Sequence, residues 1–231
     1  MAKMKMAFAL LMLVFLSSCS HVILEKDPLS MDEHLRLGAI YESKGEYELA
    51  LKEYQKAIEE NGKNADAYFG MGNVYFKIKN YKDSETNFLK AVELNPDKGA
   101  YRNNLGWLYV EQGDFTEAED SAREAIRVDP ENKYIYLDTL GMALTKQAEY
   151  LYAEEAYIEA AKLYSPQNME GLIEIYNHLL DLYKISGEQE KAAIIEKAIK
   201  DFKDAESLAE RSKNENSLRR QSGDGGFERL R

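Results

Sequence analysis

The sequence predicts an all-α solenoid of about five helix–turn–helix units followed by a C-terminal helix. Gly38, Gly72 and Gly106 are spaced 34 residues apart, and similar sequences surround each of them. Apolar residues recur around these glycines at spacings of three and four, which is typical of amphipathic helices. Glycine, asparagine and proline recur between the helical stretches. A period of this length indicates stacked repeats that bury a shared core.

Each of the first four units has a signature in its first helix and a small residue in its second helix. The signatures are Leu37-Gly38-x-x-Tyr41, Met71-Gly72-x-x-Tyr75, Leu105-Gly106-x-x-Tyr109 and Leu140-Gly141-x-x-Leu144. The small residues are Ala50, Ser84, Ala118 and Ala153. Glycine inside a helix costs about 1 kcal/mol relative to alanine. We therefore expect the two helices of each unit to pack closely at these positions, which would offset that cost.

The signatures divide the chain into units. Their expected bounds are 31–64, 65–98, 99–132, 134–167 and 173–206. The fifth unit is degenerate, because Leu180 stands where the others have glycine and about five extra residues, 168–172, precede it. Residues 203–211 are predicted to extend the last helix, so that the solenoid spans 31–211. Residues 212–231 contain few apolar side chains, and we expect this tail to be disordered.

Turn chemistry predicts the helix ends. Ser30 and Glu33 have the spacing of a capping box, which predicts the start of the first helix. Three glycines are expected to end the first helices of their units in a left-handed conformation, with an asparagine in this role in the second unit. These residues are Gly45, Gly113, Gly187 and Asn80.

The matched positions resemble the tetratricopeptide repeat (TPR), a helix–turn–helix unit of 34 residues, strongly over residues 31–166. The resemblance implies a right-handed superhelix whose concave surface is lined by the first helix of each unit. In this family the inward positions are the second, fifth, ninth and twelfth of each unit, with the thirteenth near the edge. The resemblance therefore implies a partner-binding groove formed by Phe69, Asn73, Phe76, Lys77, Asn103, Trp107, Val110, Asp138, Met142 and Asn177.

The apolar residues of this groove lie on a different helix face from the Leu-Gly-Tyr signature. Phe76 and Trp107 are therefore expected to stay available after the helices have packed, and large exposed apolar patches usually mark interaction sites. Asn73 and Asn103 offer donors and acceptors for a bound backbone. The alternative is that the C-terminal helix, or a neighbouring copy of the chain, fills the groove.

The N-terminus has the layout of a secretory signal. Lys3 and Lys5 precede an apolar segment over residues 6–16, and small residues follow. This segment is shorter than the roughly 20 apolar residues that a membrane-spanning helix needs. We therefore interpret residues 1–18 as a cleaved signal peptide.

The signal ends in Leu-Ser-Ser-Cys, which resembles the lipobox of bacterial lipoproteins and contains the only cysteine, Cys19. The resemblance implies that Cys19 bears acyl chains such as palmitate and that residues 19–30 form a tether. In lipoproteins of Gram-negative bacteria, aspartate after the cysteine favours inner-membrane retention. Ser20 therefore implies the outer membrane, facing the periplasm. The alternative is a simple secretory signal with a chance cysteine.

Charge and motifs argue against several functions. Without residues 1–18 the chain has 28 Lys and Arg against 41 Asp and Glu, a formal charge of −13. Nucleic-acid binding needs clustered Lys and Arg, so we expect none. The three histidines do not cluster, and the sequence contains no Gly-rich phosphate loop, no His-Glu-x-x-His and no Gly-x-Ser-x-Gly. We expect no metal, no cofactor beyond the acyl chains on Cys19, and no catalysis.

Together these features predict a non-enzymatic, lipid-anchored adaptor that binds a segment or helix of another cell-envelope protein. The layout of lipobox, short tether and Leu-Gly repeats resembles that of pilus-assembly lipoproteins, the pilotin-like TPR proteins that help outer-membrane secretins assemble. That resemblance implies a role in pilus or secretin assembly. Two alternatives stay open: an adaptor for cell-wall enzymes or polysaccharide export, and an enzyme with an unrecognised site. The partner's identity and the oligomeric state stay open as well.

Overall fold

The structure is a computed structural model that describes residues 27–164 and 169–223. Within these ranges the chain forms ten α-helices and one short 3₁₀ turn, Pro130–Asn132, and it has no β-strand. The helices are α1 (Met31–Ser43), α2 (Tyr47–Glu60), α3 (Ala65–Lys77), α4 (Tyr81–Leu94), α5 (Gly99–Gln112), α6 (Phe115–Val128), α7 (Lys133–Lys146), α8 (Tyr150–Leu163), α9 (Met169–Ser186) and α10 (Gln189–Gly223).

The helices pair in chain order, and each pair packs on the next. Helix α1 packs on α2, α3 on α4, and so on to α9 on α10. The second helix of each pair also packs on the first helix of the following pair, and first helices of successive pairs touch, as α5 and α7 do. The predicted all-α TPR superhelix of five units is therefore confirmed.

Glycines in the first helices allow the second helices to approach closely. In units one, two and four, an aromatic ring of the second helix lies against the glycine of the first. These pairs are Tyr54 on Gly38, Phe88 on Gly72 and Tyr157 on Gly141, and a Cβ atom added to each glycine would lie 2.7, 2.5 and 2.6 Å from its ring. Side chains do not pack at such distances. The close packing predicted from the period is confirmed at these positions.

The third unit reaches the same approach in another way. Ala122 stands where the other units have the ring. A Cβ atom on Gly106 would lie 3.2 Å from the methyl carbon of Thr139 and 3.3 Å from the carbonyl oxygen of Ala118. Ala118 and Ala122 are both fully buried. Small residues on both helices therefore replace the glycine–ring contact here.

A left-handed residue follows the first helix in all five units. The predicted glycines are Gly45, Gly113 and Gly187, with φ of 75°, 88° and 83°. The prediction of Asn80 is wrong, because Lys79 adopts the left-handed conformation with φ of 61° while Asn80 is the N-cap of α4. Asn80 stands one residue later in its unit than the glycines do. The fourth unit uses Ala148, with φ of 63°.

The start of α1 is fixed by local contacts. The backbone N–H of Ser30 donates to the Glu33 carboxylate at 2.7 Å, as the predicted capping box requires. Lys56 Nζ donates to Asp27 at 3.0 Å, and Nε2 of buried His34 lies 3.5 Å from the same carboxylate. The last residues of the predicted tether are therefore held against the first unit.

The fifth unit begins earlier than predicted. Helix α9 starts at Met169 and is 18 residues long, so residues 169–172 add about one helical turn ahead of the predicted start at 173. The C-terminal helix α10 packs on α9 through the buried Ala192 and Ile199. The rings of Phe202 and Tyr176 lie 5.8 Å apart across the same contact.

Helix α10 continues to Gly223, so the disorder predicted for residues 212–223 is wrong. Glutamate, leucine, arginine and glutamine favour helix, and neither glycine nor proline interrupts the chain between Gly187 and Gly223. Helix propensity therefore accounts for the extension of α10 beyond residue 211. Residues 224–231, and the predicted signal with Cys19, lie outside the described residues. Among the helices described, none is long and apolar enough to cross a bilayer.

Candidate functional site

The first helices of units one to three line an open concavity of about 390 Å³, here called the N-terminal groove. Its lining residues are Glu42, Asn73, Phe76, Lys77, Phe88, Asn104 and Trp107. Four of these, Asn73, Phe76, Lys77 and Trp107, are among the ten predicted groove residues.

Aromatic side chains form the floor and wall of the N-terminal groove. Phe88 is the floor; it is only 1% exposed and lies against Gly72. Phe76 and Trp107 remain half-buried and line the opening. Helix α10 packs on α9 at the other end of the array, so its described residues do not fill this groove. The alternative in which the C-terminal helix occupies the groove is therefore wrong for the described part of the chain.

A pair of amides stands in the groove beside Trp107. Nδ2 of Asn104 donates to Oδ1 of Asn73 at 2.8 Å. Each amide can donate and accept, so this bond leaves the amino group of Asn73 and the carbonyl oxygen of Asn104 without a hydrogen-bond partner among the described residues. One free donor and one free acceptor match what the backbone of an extended peptide presents.

The edge of the N-terminal groove has one acidic and one basic residue. Glu42 accepts a hydrogen bond from the Tyr54 hydroxyl at 2.8 Å, and burial together with this carboxylate raises the pKa of Tyr54. Lys77 is exposed and has no ion-pair partner among the described residues. The groove is therefore close to neutral, although the full chain has a formal charge of −11.

A second concavity of about 300 Å³, here called the C-terminal pocket, lies between units four and five. It is lined by Met142, Thr145, Lys146, Tyr157, His178, Asp181, Lys184 and Ile185. Tyr157 forms its floor; the side chain is 1% exposed and lies against Gly141. Thr145 donates to the Gly141 carbonyl oxygen at 2.7 Å, so its proton is already engaged.

His178 is hydrogen-bonded to an acidic residue at the wall of this pocket. Its Nδ1 atom lies 2.7 Å from the Asp138 carboxylate. Burial lowers the pKa of His178, but the hydrogen bond to Asp138 and the charges of Asp138, Glu174 and Asp181 outweigh burial and raise it overall. Nε2 has no hydrogen-bond partner among the described residues and is the ring nitrogen left for a ligand.

The two concavities occupy corresponding places in the repeat. Their first-helix and floor residues are 69 positions apart, namely Asn73 and Met142, Phe76 and Thr145, Lys77 and Lys146, and Phe88 and Tyr157. Asn104 and Trp107 of the following unit correspond to His178 and Asp181, five residues further on because α9 is preceded by the extra segment. The same structural feature therefore occurs twice with different chemistry.

Three predicted groove residues pack instead of lining a concavity, and all three stand at the fifth position of their unit. Asn103 is 5% exposed and accepts from the Thr139 hydroxyl at 2.8 Å. Asp138 is 8% exposed and pairs with His178. The ring of Phe69 lies 4.8 Å from that of Tyr101. Fifth-position side chains face the next unit, which is why these three predictions are wrong.

Of the three remaining predicted groove residues, one lines a concavity and two do not. Met142 lines the C-terminal pocket, whereas Val110 and Asn177 line neither concavity. Asn104 and His178 are not among the predicted groove residues; they stand at the sixth position of their units and bond to the preceding unit. A signal was present, since the sixth position is polar in units three, four and five, with Asn104, Thr139 and His178.

The described residues show no grouping of three or more His, Cys, Asp and Glu side chains that could hold a metal ion. The buried carboxylates instead form pairs, such as His34 with Glu53 at 2.6 Å. The geometry described here suits contacts to a polypeptide: an aromatic wall, an amide pair and separate lysines.

Sequence comparisons agree with this fold. One model described as "TPR repeat" matches residues 38–79, and another described as "Tetratricopeptide repeat" matches residues 63–131. A search of curated protein sequences gave no significant match. The two matches together cover residues 38–131 of the chain, and TPR repeats are typical of non-enzymatic scaffolds that bind other proteins.

Several solved structures share the fold. PilF of Pseudomonas aeruginosa is 25% identical, with a TM-score of 0.61 over 74% of this chain and 76% of its own. PilW, described as a widely conserved type IV pilus biogenesis factor, is 19% identical, with a TM-score of 0.68 over 74% and 77%. MamA is 20% identical, with a TM-score of 0.62 over 74% and 97%. The likeness to PilW and MamA shows the fold alone.

Proposed function

We propose that this protein is a lipid-anchored adaptor of the cell envelope that holds an extended segment of another protein in its N-terminal groove. The observation that supports the proposal is the open concavity in which Trp107 and Phe76 stand beside the Asn73–Asn104 pair. Buried aromatic contacts dominate binding energy at protein interfaces, and amides that remain unpaired can bond to a backbone.

An extended segment fits the groove better than a compact domain. The concavity has a volume of about 390 Å³, which can enclose a few side chains but not the surface of a folded domain. Helices α3 and α5 position the aromatic and amide groups before any partner arrives, because Phe88 and Gly72 lock the floor. A prearranged site loses less conformational freedom on binding.

The anchor is proposed from the sequence. Acylation of Cys19 by more than one chain would give stable membrane attachment. Asp27 is held by Lys56, so only residues 19–26 are left as a tether, which can extend by at most about 28 Å. Ser20 after the cysteine supports the outer membrane, facing the periplasm. The groove would then work close to the membrane surface.

Pilus or secretin assembly is the specific role that we propose. The lipobox layout supports it, as does the likeness to PilF at 25% identity. A partner in this pathway would be an envelope protein that exposes an extended segment near the outer membrane.

Crosslinking in intact cells, followed by identification of captured proteins, tests the adaptor role. Trp107→Ala and Asn73→Ala should each reduce capture of the same envelope protein while helical content by circular dichroism stays unchanged. Tyr152→Ala is the matched control, because Tyr152 is a 58%-exposed aromatic residue on α8 outside both concavities. Retention of every partner by both groove variants would exclude the groove as the binding site.

The anchor has its own test. Cys19→Ser should abolish labelling by radioactive palmitate and move the protein from the membrane fraction to the soluble fraction. Labelling that persists in this variant would contradict acylation at Cys19.

A further inference from the structure

The C-terminal pocket combines an apolar floor with basic groups. Met142, Tyr157 and Ile185 provide the apolar surface. Lys146 comes from α7 and Lys184 from α9, and both side chains are exposed. Neither ammonium group has a hydrogen bond or ion pair to a described residue. Two uncommitted cations from different helices therefore face one apolar concavity.

The charge at this pocket differs from that at the N-terminal groove. Asp138 is engaged with His178 at 2.7 Å, and Asp181 is the remaining acid in the lining. The lining has two lysines, Lys146 and Lys184, against one acid, Asp181, which is an excess of one positive charge. The N-terminal groove balances Glu42 against Lys77. In an acidic protein this local excess favours a negatively charged ligand group.

We infer that the C-terminal pocket binds a carboxylate of the same extended segment that the N-terminal groove holds, between Lys146 and Lys184. This inference rests on the proposed function, because the segment is the one that reaches Trp107. The apolar stem or neighbour of the acidic group would contact Met142 and Ile185. His178 lines the same pocket, and its Nε2 atom has no hydrogen bond to a described residue.

The repeat geometry predicts the spacing along the segment. The two concavities are two repeats apart, and neighbouring packed helices are about 10 Å apart, so the pockets are separated by about 20 Å. An extended chain rises about 3.3 Å per residue. The acidic group should therefore lie about six residues from the aromatic or apolar residue that contacts Trp107.

Selection from a display library of random 12-residue peptides tests this inference. The wild-type protein should enrich peptides that combine an apolar anchor with Asp or Glu five to seven residues away. The double variant Lys146→Gln, Lys184→Gln should enrich peptides that have the apolar anchor but no Asp or Glu at this spacing. Lys162→Gln, an exposed lysine of α8 outside both concavities, is the matched control and should select as the wild type does.

Affinity measurements on one selected peptide complete the test. Replacing its Glu by Gln should weaken binding to the wild type about tenfold, as expected for two partly solvated ion pairs, and should not change binding to the double lysine variant. Each peptide is made with a free and an amidated C-terminus. If amidation weakens binding, the bound carboxylate is that of the chain end. If Glu→Gln weakens binding, it is that of the side chain.

The outcomes separate this inference from the proposed function. Enriched peptides that depend on Trp107 but show no acid at this spacing would overturn the inference and leave the adaptor role intact. The inference would also be overturned if the Glu and Gln peptides bind the wild type with equal affinity and amidation does not change that affinity. A wild-type selection that enriches nothing would overturn both.

Discussion

In the N-terminal groove, Phe88 forms the floor and Lys77 stands at the edge, and Tyr157 and Lys146 hold the corresponding places in the C-terminal pocket. The polar pairs at the two walls differ. Asn73 and Asn104 form a neutral pair that leaves a donor and an acceptor without a partner in the part of the chain that the structure describes. Asp138 and His178 form a titratable pair in which Nε2 of His178 has no hydrogen-bond partner among the described residues.

The comparison shows how one repeat feature can have two chemically different linings. The floor is set by helix packing, since each ring lies against a glycine of the first helix. The lining is set by positions that packing does not constrain. Trp107 in the groove corresponds to Asp181 in the pocket, and Phe76 corresponds to Thr145. The first site is therefore suited to apolar anchors and backbone, and the second to a charged group.

The two sites should differ most in the binding free energy that is lost when a ninth-position side chain is truncated to alanine. Trp107→Ala should weaken binding of a selected peptide by about 2–4 kcal/mol, because truncation of a central tryptophan removes the main apolar contact. Met142→Ala in the C-terminal pocket should lower affinity by less than about 1.5 kcal/mol, because the side chain is smaller and lies at a second contact. Isothermal titration calorimetry measures both. Equal losses would contradict the assignment of the groove as the principal site.

Glycine substitutions test whether the floors are built as described. Gly72→Ala should lower the free energy of unfolding by about 2 kcal/mol, because its Cβ would meet the Phe88 ring at 2.5 Å. Gly106→Ala should change it by less than about 1 kcal/mol, because the nearest atoms are at 3.2 and 3.3 Å and alanine favours the helix. Urea denaturation followed by circular dichroism gives both values. Similar destabilisation by the two substitutions would remove the distinction between units two and three.

The two polar pairs should respond differently to pH. The folded-state pKa of His178 is raised, so the stability from its pair with Asp138 is complete below the unfolded-state pKa of about 6.5 and is lost as pH rises through the folded-state value. His178→Gln should therefore lower the free energy of unfolding by about 1–2 kcal/mol at pH 5.5 and by less at pH 9. Asn104→Ala serves as the control, since an amide pair does not titrate in this range. A pH-independent effect of His178→Gln would contradict a charged pair.

The smallest expected effect concerns the turns beside the two sites. Lys79 and Ala148 hold left-handed conformations that disfavour side chains, and each ends a first helix that lines one concavity. Ala148→Gly should raise the free energy of unfolding by about 0.5–1 kcal/mol, as strain is relieved and unfolded-state entropy opposes part of the gain. Lys79→Gly should act similarly, whereas Gly113→Ala should destabilise. Thermal melts monitored by circular dichroism would show these changes as shifts in Tm.

Most of the fold follows from local rules that the sequence displays. The spacing of Gly38, Gly72 and Gly106 predicts the repeat, and their contacts with second-helix residues explain it. The N-terminal groove is predicted in part, because Asn73 and Trp107 stand at inward positions. Asn103 and Asp138 were assigned to the groove wrongly, since whether a fifth-position side chain meets solvent or the next helix depends on the angle between units. That angle depends on tertiary packing and cannot be read from the residue pattern of a single helix.

The remaining differences have the same origin. Lys79 is left-handed because the chain must turn there whatever residue is present, so tertiary packing overrides the preference for glycine or asparagine. Residues 212–223 are helical because an established helix propagates at little cost, although their composition is typical of disorder. In both cases the neighbouring structure, not the residue itself, decides the conformation.

Trp107 is the only tryptophan in the chain, so its fluorescence reports directly on the N-terminal groove. Acrylamide quenching of its emission, measured on the free protein and on the complex with a selected peptide, tests the central claim that this open groove is the partner-binding site. Efficient quenching in the free protein and strong protection in the complex is the predicted result. Quenching that stays the same when the peptide is bound would contradict it.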